Sequence, residues 1–179
     1  GPELSSQAQE NGLFAVLLAL LLIVLFMILY YGVAGLIASL ALIANAIIML
    51  GALAQIKAAL SLPGIGGIII SLGAGIDGTV IILEVIKSNL RKGLSLRKAF
   101  SDGYTTSYGS IIDANLTTLA ASIVLYLWGQ GAVKGFATTL TIGTISSFFT
   151  SVLVNRVITE GFIRAFGINK LSFSLFKKI

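Results

Sequence analysis

Two aspartates inside otherwise apolar segments are the residues of this chain whose type and position could do chemistry. Asp77 lies in the apolar stretch before Lys87, and Asp113 lies in the next one. A charged carboxylate at the centre of a bilayer costs about 2.5–3.5 kcal/mol on insertion scales. A carboxylic acid in apolar surroundings holds its proton more tightly than in water, so it can load and release a proton near neutral pH. Both aspartates are therefore candidate proton carriers; the alternative is a permanently neutral acid that hydrogen-bonds neighbouring helices.

Residue counts predict nearly the same membrane depth for the two carboxylates. Asp77 lies ten residues before Lys87, and Asp113 lies eleven residues after Asp102. At about 1.5 Å per helical residue, each is about 15–17 Å from the charged edge of its span. We therefore predict them level with each other on antiparallel neighbouring helices. No basic residue lies at this depth, which favours protonation over a permanent ion pair.

Small and polar residues near the two aspartates complete the candidate proton site. Four of them are close enough in sequence to support it: Thr79, Asn115, Thr117 and Thr118. Interhelical hydrogen bonding is the more ordinary role for each of them. Small residues recurring every four positions predict close helix packing: Gly67, Ser71, Gly75 and Thr79. A single polar group interrupts the second span at Asn45, and Glu84 is expected to pair with Lys87.

Composition points to a membrane bundle that must position these groups. Apolar residues make up 56% of the 179 residues and charged ones 11%, against about 25% charged in ordinary soluble domains. We predict an all-α, polytopic transmembrane helical bundle at 13–158, with five spans at about 13–31, 34–53, 63–86, 104–128 and 133–155. Gly32 and the Gly129–Gly131 segment suit turns, and Pro63 suits the first turn of a helix. The remaining parts are an external flank at 1–12, a cytoplasmic loop at 87–103 with an amphipathic piece at 95–100, and a cytoplasmic tail at 159–179.

The charged residues predict the orientation. Of the 12 lysines and arginines, ten fall in the 87–103 loop or after the fifth span, which the positive-inside rule assigns to the cytoplasm. The basic charge is thereby explained without nucleic acid. An external N-terminus is unusual for such a bundle, so we expect a further span and an external domain upstream.

Several classes of chemistry are excluded by composition and context. The chain has no cysteine and no histidine, which excludes disulfides, Cys/His zinc sites and a Ser-His-Asp triad. Residues 73–78 satisfy G-x-G-x-x-G, but this pattern needs a preceding strand and here lies inside a membrane span. We expect no cofactor, no metal and no enzymatic activity.

Five segments of the chain form a recognisable set: SLPGI at 61–65, GID at 75–77, DGY at 102–104, DANLTTL at 113–119 and GAVKGFA at 131–137. Together they resemble the SecD family, the protein-export subunits of SecDF complexes in the resistance-nodulation-division superfamily. The resemblance implies a six-span half that lacks its first span and external domain. It also implies a proton-motive-force-driven export motor in the bacterial inner membrane, working with a SecF-like half, the SecYEG channel and the translocating preprotein.

The resemblance assigns Asp77 to the membrane aspartate that the family uses in proton movement. The family pattern there is Asp-x-Asn followed by Glu-Arg, whereas this chain has Asp77-Gly78-Thr79 and then Glu84-Val85. Two other functions stay open on the residues alone. One is a small-molecule/proton antiporter half of the same superfamily, and the other is a structural membrane scaffold.

Overall fold

Six helices make up the described part of the chain. The structure is a computed structural model of the 179-residue chain and describes residues 2–58 and 60–166. The helices are α1 Pro2–Tyr31, α2 Val33–Gln55, α3 Leu62–Arg91, α4 Leu96–Trp128, α5 Ala132–Phe149 and α6 Asn155–Phe166. A π-helical turn at Thr150–Val154, called the π-turn below, joins α5 to α6 without a break.

Five helical segments of the described chain are long and apolar enough to cross a membrane. They are Ser6–Tyr31, Val33–Gln55, Leu62–Arg91, Leu96–Trp128 and Ala132–Ala165. The last segment includes α5, the π-turn and most of α6. The predicted all-α bundle with five spans is thereby confirmed. Residues 167–179 of the predicted C-terminal tail lie outside the described residues.

The helices begin and end at residues whose local chemistry favours a boundary. Gly32 between α1 and α2 has a φ of 64°, and Gly131 before α5 has a φ of 56°, both in the region that glycine enters without steric cost. Ser61 caps α3 by accepting a hydrogen bond from the backbone N–H of Gly64 at 3.2 Å. Pro63 lies in the first turn of α3, where a missing N–H costs nothing.

Residues 87–103, predicted as a loop, are mostly helical. α3 continues to Arg91 and α4 begins at Leu96, capped by the Ser95 hydroxyl. The amphipathic piece at 95–100 is therefore the start of α4 rather than a separate helix. It is held there because Leu96 and Phe100 are buried in the core. The end of the bundle where α3 ends and α4 begins is called the basic end below.

The expected ion pair between Glu84 and Lys87 does not form in the described structure. The Glu84 carboxylate instead accepts a hydrogen bond from the Tyr31 hydroxyl at 2.7 Å. The Lys87 ammonium lies 5.2 Å from the centre of the Tyr30 ring, a cation–π contact. These contacts attach the end of α1 to α3 at the basic end.

Small residues bring α3 and α5 into close contact. A Cβ added at several of the glycines would meet a hydroxyl-bearing side chain across this interface. The facing pairs are Gly67 with Thr139, Ser71 with Gly143, Gly75 with Ser147 and Gly78 with Ser151. Because residue numbers rise together along both helices, α3 and α5 run parallel. This is the small-xxx-small packing that membrane helices use where apolar surface gives no driving force.

Apolar side chains on the outside of the bundle fit a lipid environment. One face of α1 exposes a continuous set of large apolar side chains: Leu13, Phe14, Leu17, Leu18, Leu21, Leu22, Leu25, Phe26 and Leu29. Such a surface would aggregate in water but is compatible with the hydrocarbon core of a bilayer.

Candidate functional site

Asp77 opens onto a cleft between α3 and α4. The cleft has a volume of about 180 Å³. Its lining residues are Ala74, Asp77, Gly78, Ile81, Ile111, Ala114, Asn115, Thr118 and Thr144. Asp77 is the one ionisable residue in this lining, and its side chain is exposed to the cleft. The site is therefore a single carboxyl group in a small, mixed polar and apolar cleft.

The cleft exists because small residues face each other where α3 and α4 pass. Gly78 and Ala74 on α3 lie opposite Ala114 on α4, and none of these side chains can fill the space. The opposite side of α3 is held against α5 by the small-residue contacts described above. Asp77 is thus carried by a firmly packed helix but projects into free volume.

Two polar side chains of α4, Asn115 and Thr118, line the cleft. The Asn115 amide Nδ2 donates to the Ile111 carbonyl at 2.7 Å, and the Thr118 hydroxyl donates to the Ala114 carbonyl at 3.0 Å. The groups that remain are the second N–H and the Oδ1 of Asn115 and the lone pairs of Thr118. Such a lining can pair with both states of a carboxyl group, because the Asn115 N–H can donate to a carboxylate and the oxygens can accept from a protonated acid or a water molecule.

The structure does not bring the other candidate residues to this cleft. Asp113 is exposed on α4 and lies two residues from Ile111 and from Asn115, which puts it on the far side of the helix. Thr117 is also exposed, and its hydroxyl donates to the Asp113 carbonyl at 2.8 Å. Thr79 is buried away from the cleft and donates to the Gly75 carbonyl at 3.3 Å. Asp77, Asn115 and Thr118 are therefore together, and the other three residues are apart from them.

An apolar groove adjoins the cleft on the side of α5. It has a volume of about 230 Å³ and is lined by Ile112, Asn115, Leu116, Leu119, Thr144, Ile145 and Phe148. Asn115 and Thr144 line both spaces, so they form the boundary between the polar cleft and the apolar groove. No ionisable side chain lines the groove.

Asn45 belongs to a polar junction that joins three helices. Its Nδ2 donates to the Ser147 hydroxyl at 3.0 Å, and its Oδ1 accepts from the Ser146 hydroxyl. The Ser147 hydroxyl in turn donates to the Ser71 carbonyl at 2.9 Å. This junction fixes α2 and α3 to α5 one turn from Asp77. Asn45 was the sequence signal for it, but its partners on α5 were not predicted.

These observations define a class of protein. Five apolar helices, a lipid-compatible exterior and a carboxyl group at mid-span are the features of a polytopic membrane protein. Residues 1–164 match the family model "Protein export membrane protein SecD/SecF, C-terminal". The chain belongs to this family.

Curated relatives and solved structures agree with the family. The chain is 43% identical over 172 residues to protein translocase subunit SecD of Desulfurispirillum indicum, and 44% identical over 175 residues to that of Calditerrivibrio nitroreducens. Each match covers 96% of this chain and 33% of the relative. The chain thus spans about a third of the length of these relatives.

The fold is similar to that of a crystal structure of SecDF from Thermus thermophilus, described as a translocon-associated membrane protein. The TM-score is 0.88 at 38% identity, with 93% of this chain and 23% of that chain covered. A second SecDF crystal structure, in a super-membrane-facing form, has a TM-score of 0.85 at 38% identity and covers 94% of this chain and 23% of that chain.

Proposed function

We propose that this chain is the membrane domain of a Sec-type export subunit in which proton binding at Asp77 drives movement of the bundle. The observation that carries the proposal is the position of Asp77 in the α3–α4 cleft, where Asn115 and Thr118 present polar groups that can pair with either state of the carboxyl group. The names of the similar proteins support a role in protein export. Proton coupling is the part that we add.

The physical basis of the coupling is the charge on Asp77. A charged carboxylate keeps the cleft hydrated, because burying it without a partner costs several kcal/mol. Protonation removes that charge and lets α3 and α4 approach each other around the small residues of the cleft. Movement of one charge through a potential of 100 mV supplies about 2.3 kcal/mol, enough to shift such an equilibrium. Net proton flow down the gradient would then drive repeated opening and closing.

The exposed face of α4 suggests where a partner binds. Asp113 and Thr117 lie on this face, and a carboxylate directed at lipid is unfavourable. We propose that a SecF-like half covers this face, and that Asp113 is a second proton-relay group at that interface. Thr79 and Thr117 would then support helix contacts rather than the proton site.

The remaining assignments follow from the relatives and from the charges. We propose a multi-pass protein of the bacterial inner membrane with a cytoplasmic C-terminus, because ten of the 12 basic residues fall in residues 87–103 or after residue 155 and the positive-inside rule assigns such segments to the cytoplasm. Its proposed partners are the SecYEG channel and the translocating preprotein, in addition to protons and lipid. The activity is transport, without an enzymatic reaction or cofactor.

The test is Asp77→Asn in the intact subunit, assayed for proton flux and preprotein export in inverted membrane vesicles. Asparagine preserves the shape of the side chain but cannot exchange a proton, so both activities should be lost. The matched control is Glu160→Gln, an acid in an exposed ion pair with Arg156, which should retain both. Unchanged flux and export in the Asp77→Asn variant would leave a structural scaffold as the better description. Drug extrusion without an export defect would favour the antiporter.

A further inference from the structure

Two adjoining spaces between the helices differ in polarity. The cleft that contains Asp77 is lined in part by polar side chains, whereas the groove between α4 and α5 is lined mainly by apolar ones. Asn115 and Thr144 line both spaces, so the cleft and the groove meet at these two residues. The pair of spaces, called the two-part site below, has a carboxyl group in one part and hydrocarbon around the other.

The groove faces the lipid rather than the core of the bundle. Two of its lining residues are on the outside of the bundle, Leu116 with 58% of its surface exposed and Ile145 with 55%. On α4 the lining extends from Ile112 to Leu119, which is about 10 Å along the helix axis. An extended alkyl chain of about eight to nine carbons has the same length, given C–C bonds of about 1.52 Å. The groove therefore suits an alkyl chain that arrives sideways from the bilayer.

The polar part of the site determines the charge of the ligand. In the described chain, Asp77 is the one ionisable residue that lines either space. A ligand with a single positive charge neutralises this carboxylate, whereas a ligand with a carboxylate would place two like charges together in an apolar setting. The site is therefore complementary to a monovalent cation that carries an alkyl chain.

The hydrogen-bonding groups of the cleft favour a primary ammonium group. Such a group has three N–H donors and no acceptor, like the ammonium of lysine. The cleft offers the Asp77 carboxylate, the Asn115 Oδ1 and the hydroxyl oxygens of Thr118 and Thr144. The Thr144 hydroxyl donates to the Leu140 carbonyl at 2.7 Å, so its lone pairs remain available, as those of Thr118 do. Each N–H of a primary ammonium thus has an acceptor of the right kind in the lining.

We propose that the two-part site binds primary alkylamines, with the ammonium group at Asp77 and the alkyl chain in the groove between α4 and α5. A neutral amine enters from the lipid and takes the proton of the Asp77 acid. The O–H bond of the acid breaks, an N–H bond forms, and the products are a carboxylate and an ammonium that pair in place. Binding is argued from the lining alone; its consequence, that a bound amine stops proton exchange at Asp77, rests on the proposed function.

The binding test is photolabelling of the intact subunit in lipid nanodiscs with an octylamine that carries a diazirine at the end of its chain. The amine probe should label groove residues such as Leu116 and Leu119, and excess octylamine should suppress this labelling. The background is set by Leu17 and Leu21 on the exposed face of α1. Groove labelling no higher than that background would overturn the proposal.

A second probe and three variants separate an amine site from a groove that simply holds hydrocarbon. The second probe is the matching octanol with the same diazirine. Asp77→Asn should lower amine labelling of the groove about tenfold or more, the range for loss of a hydrogen bond to a charged group, and should leave octanol labelling unchanged. The matched control Glu160→Gln should change neither. Ile145→Trp should fill the groove and lower amine labelling of Leu116 severalfold, with the helical content checked by circular dichroism.

Equal labelling by the two probes would mean that the groove takes lipid hydrocarbon without regard to charge. The same conclusion would follow if Asp77→Asn left amine labelling unchanged. Either result would overturn the amine site.

The consequence for proton exchange is tested by proton flux driven by a membrane potential, without a pH gradient that an amine could dissipate. Octylamine should inhibit the flux over the concentration range in which it displaces the amine probe, and octanol at the same concentrations should not. Flux that persists when the site is saturated would refute the block.

The two proposals fail in different ways. If Asp77→Asn abolishes flux but leaves amine labelling unchanged, the binding proposal alone fails. If Asp77→Asn lowers amine labelling but leaves flux unchanged, the proposed function fails and the amine site stands without a role in transport.

Discussion

Replacing Asn45 by alanine should destabilise the bundle more than removal of any other single polar side chain of α2. Asn45 is 1% exposed and makes two side-chain hydrogen bonds to α5, to Ser146 and Ser147. Alanine removes both bonds and leaves a small void beside Gly75, where the Asn45 Nδ2 now lies 3.0 Å from the position of an added Cβ. No compensating contact is available without movement of α2.

The expected loss combines the hydrogen bonds and the void. Interhelical hydrogen bonds in membrane proteins average about 0.6 kcal/mol and reach about 1.7 kcal/mol each. A void of at least methyl size adds about 1 kcal/mol. The free energy of unfolding should therefore fall by about 2–4 kcal/mol, using two hydrogen bonds and one void. The serine hydroxyls can turn to carbonyls of their own helix, which keeps the loss below the cost of two orphaned buried groups.

The assay is reversible unfolding of the chain in mixed micelles by SDS titration, followed by circular dichroism. Ser39→Ala is the matched control, because this buried hydroxyl bonds within α2 to the Gly35 carbonyl at 2.7 Å; its loss should cost less than about 1 kcal/mol. A double-mutant cycle that combines Asn45→Ala with Ser147→Ala should give a coupling free energy of about 0.6–1.7 kcal/mol. An Asn45→Ala variant within about 0.5 kcal/mol of the parent would refute the junction as a stabilising contact.

Three further predictions use the same unfolding assay. Gly75→Ala should lower the free energy of unfolding by about 1–3 kcal/mol, because its Cβ would press on side chains of α2 and α5. Gly73→Ala, which has open space around it, should leave that free energy unchanged or raise it by up to about 1 kcal/mol. Equal effects of the two variants would contradict the α3–α5 packing. Tyr31→Phe should lose about 0.6–1.7 kcal/mol with its hydrogen bond to Glu84, and a neutral result would mean that this bond does not hold α1. Glu160→Gln should change stability by less than about 0.5 kcal/mol, because its ion pair is exposed; a larger loss would reveal a role beyond that pair.

The fold could be predicted to a large extent because membrane spans depend on local properties. An uninterrupted apolar run sets the length of a helix, and Gly32 and Pro63 mark boundaries through backbone geometry that is independent of the rest of the chain. The π-turn at Thr150–Val154 was not predicted. An extra residue in a helical turn is stabilised by packing against α2 and α3, and no residue type in the segment itself requires it. The prediction that Glu84 pairs with Lys87 was wrong for a similar reason, since the partner of Glu84, Tyr31, is 53 residues away in sequence.

The two aspartates show that residue counting predicts the depth of a side chain but not its direction around the helix. Each helical residue adds the same rise, so residue counts from the charged edge predict one membrane depth for Asp77 and Asp113. The antiparallel packing of α3 and α4 is consistent with that depth. The direction of a side chain around its helix depends on which face the neighbours cover, and α4 turns Ile111 and Asn115 towards α3. Asp113, two residues from each, must then face away from the bundle. If a carboxylate at mid-span is tolerated on that face, its surroundings in the membrane must supply the hydrogen bonds that the described part of the chain does not. This is the physical reason for expecting a second helical half against α4.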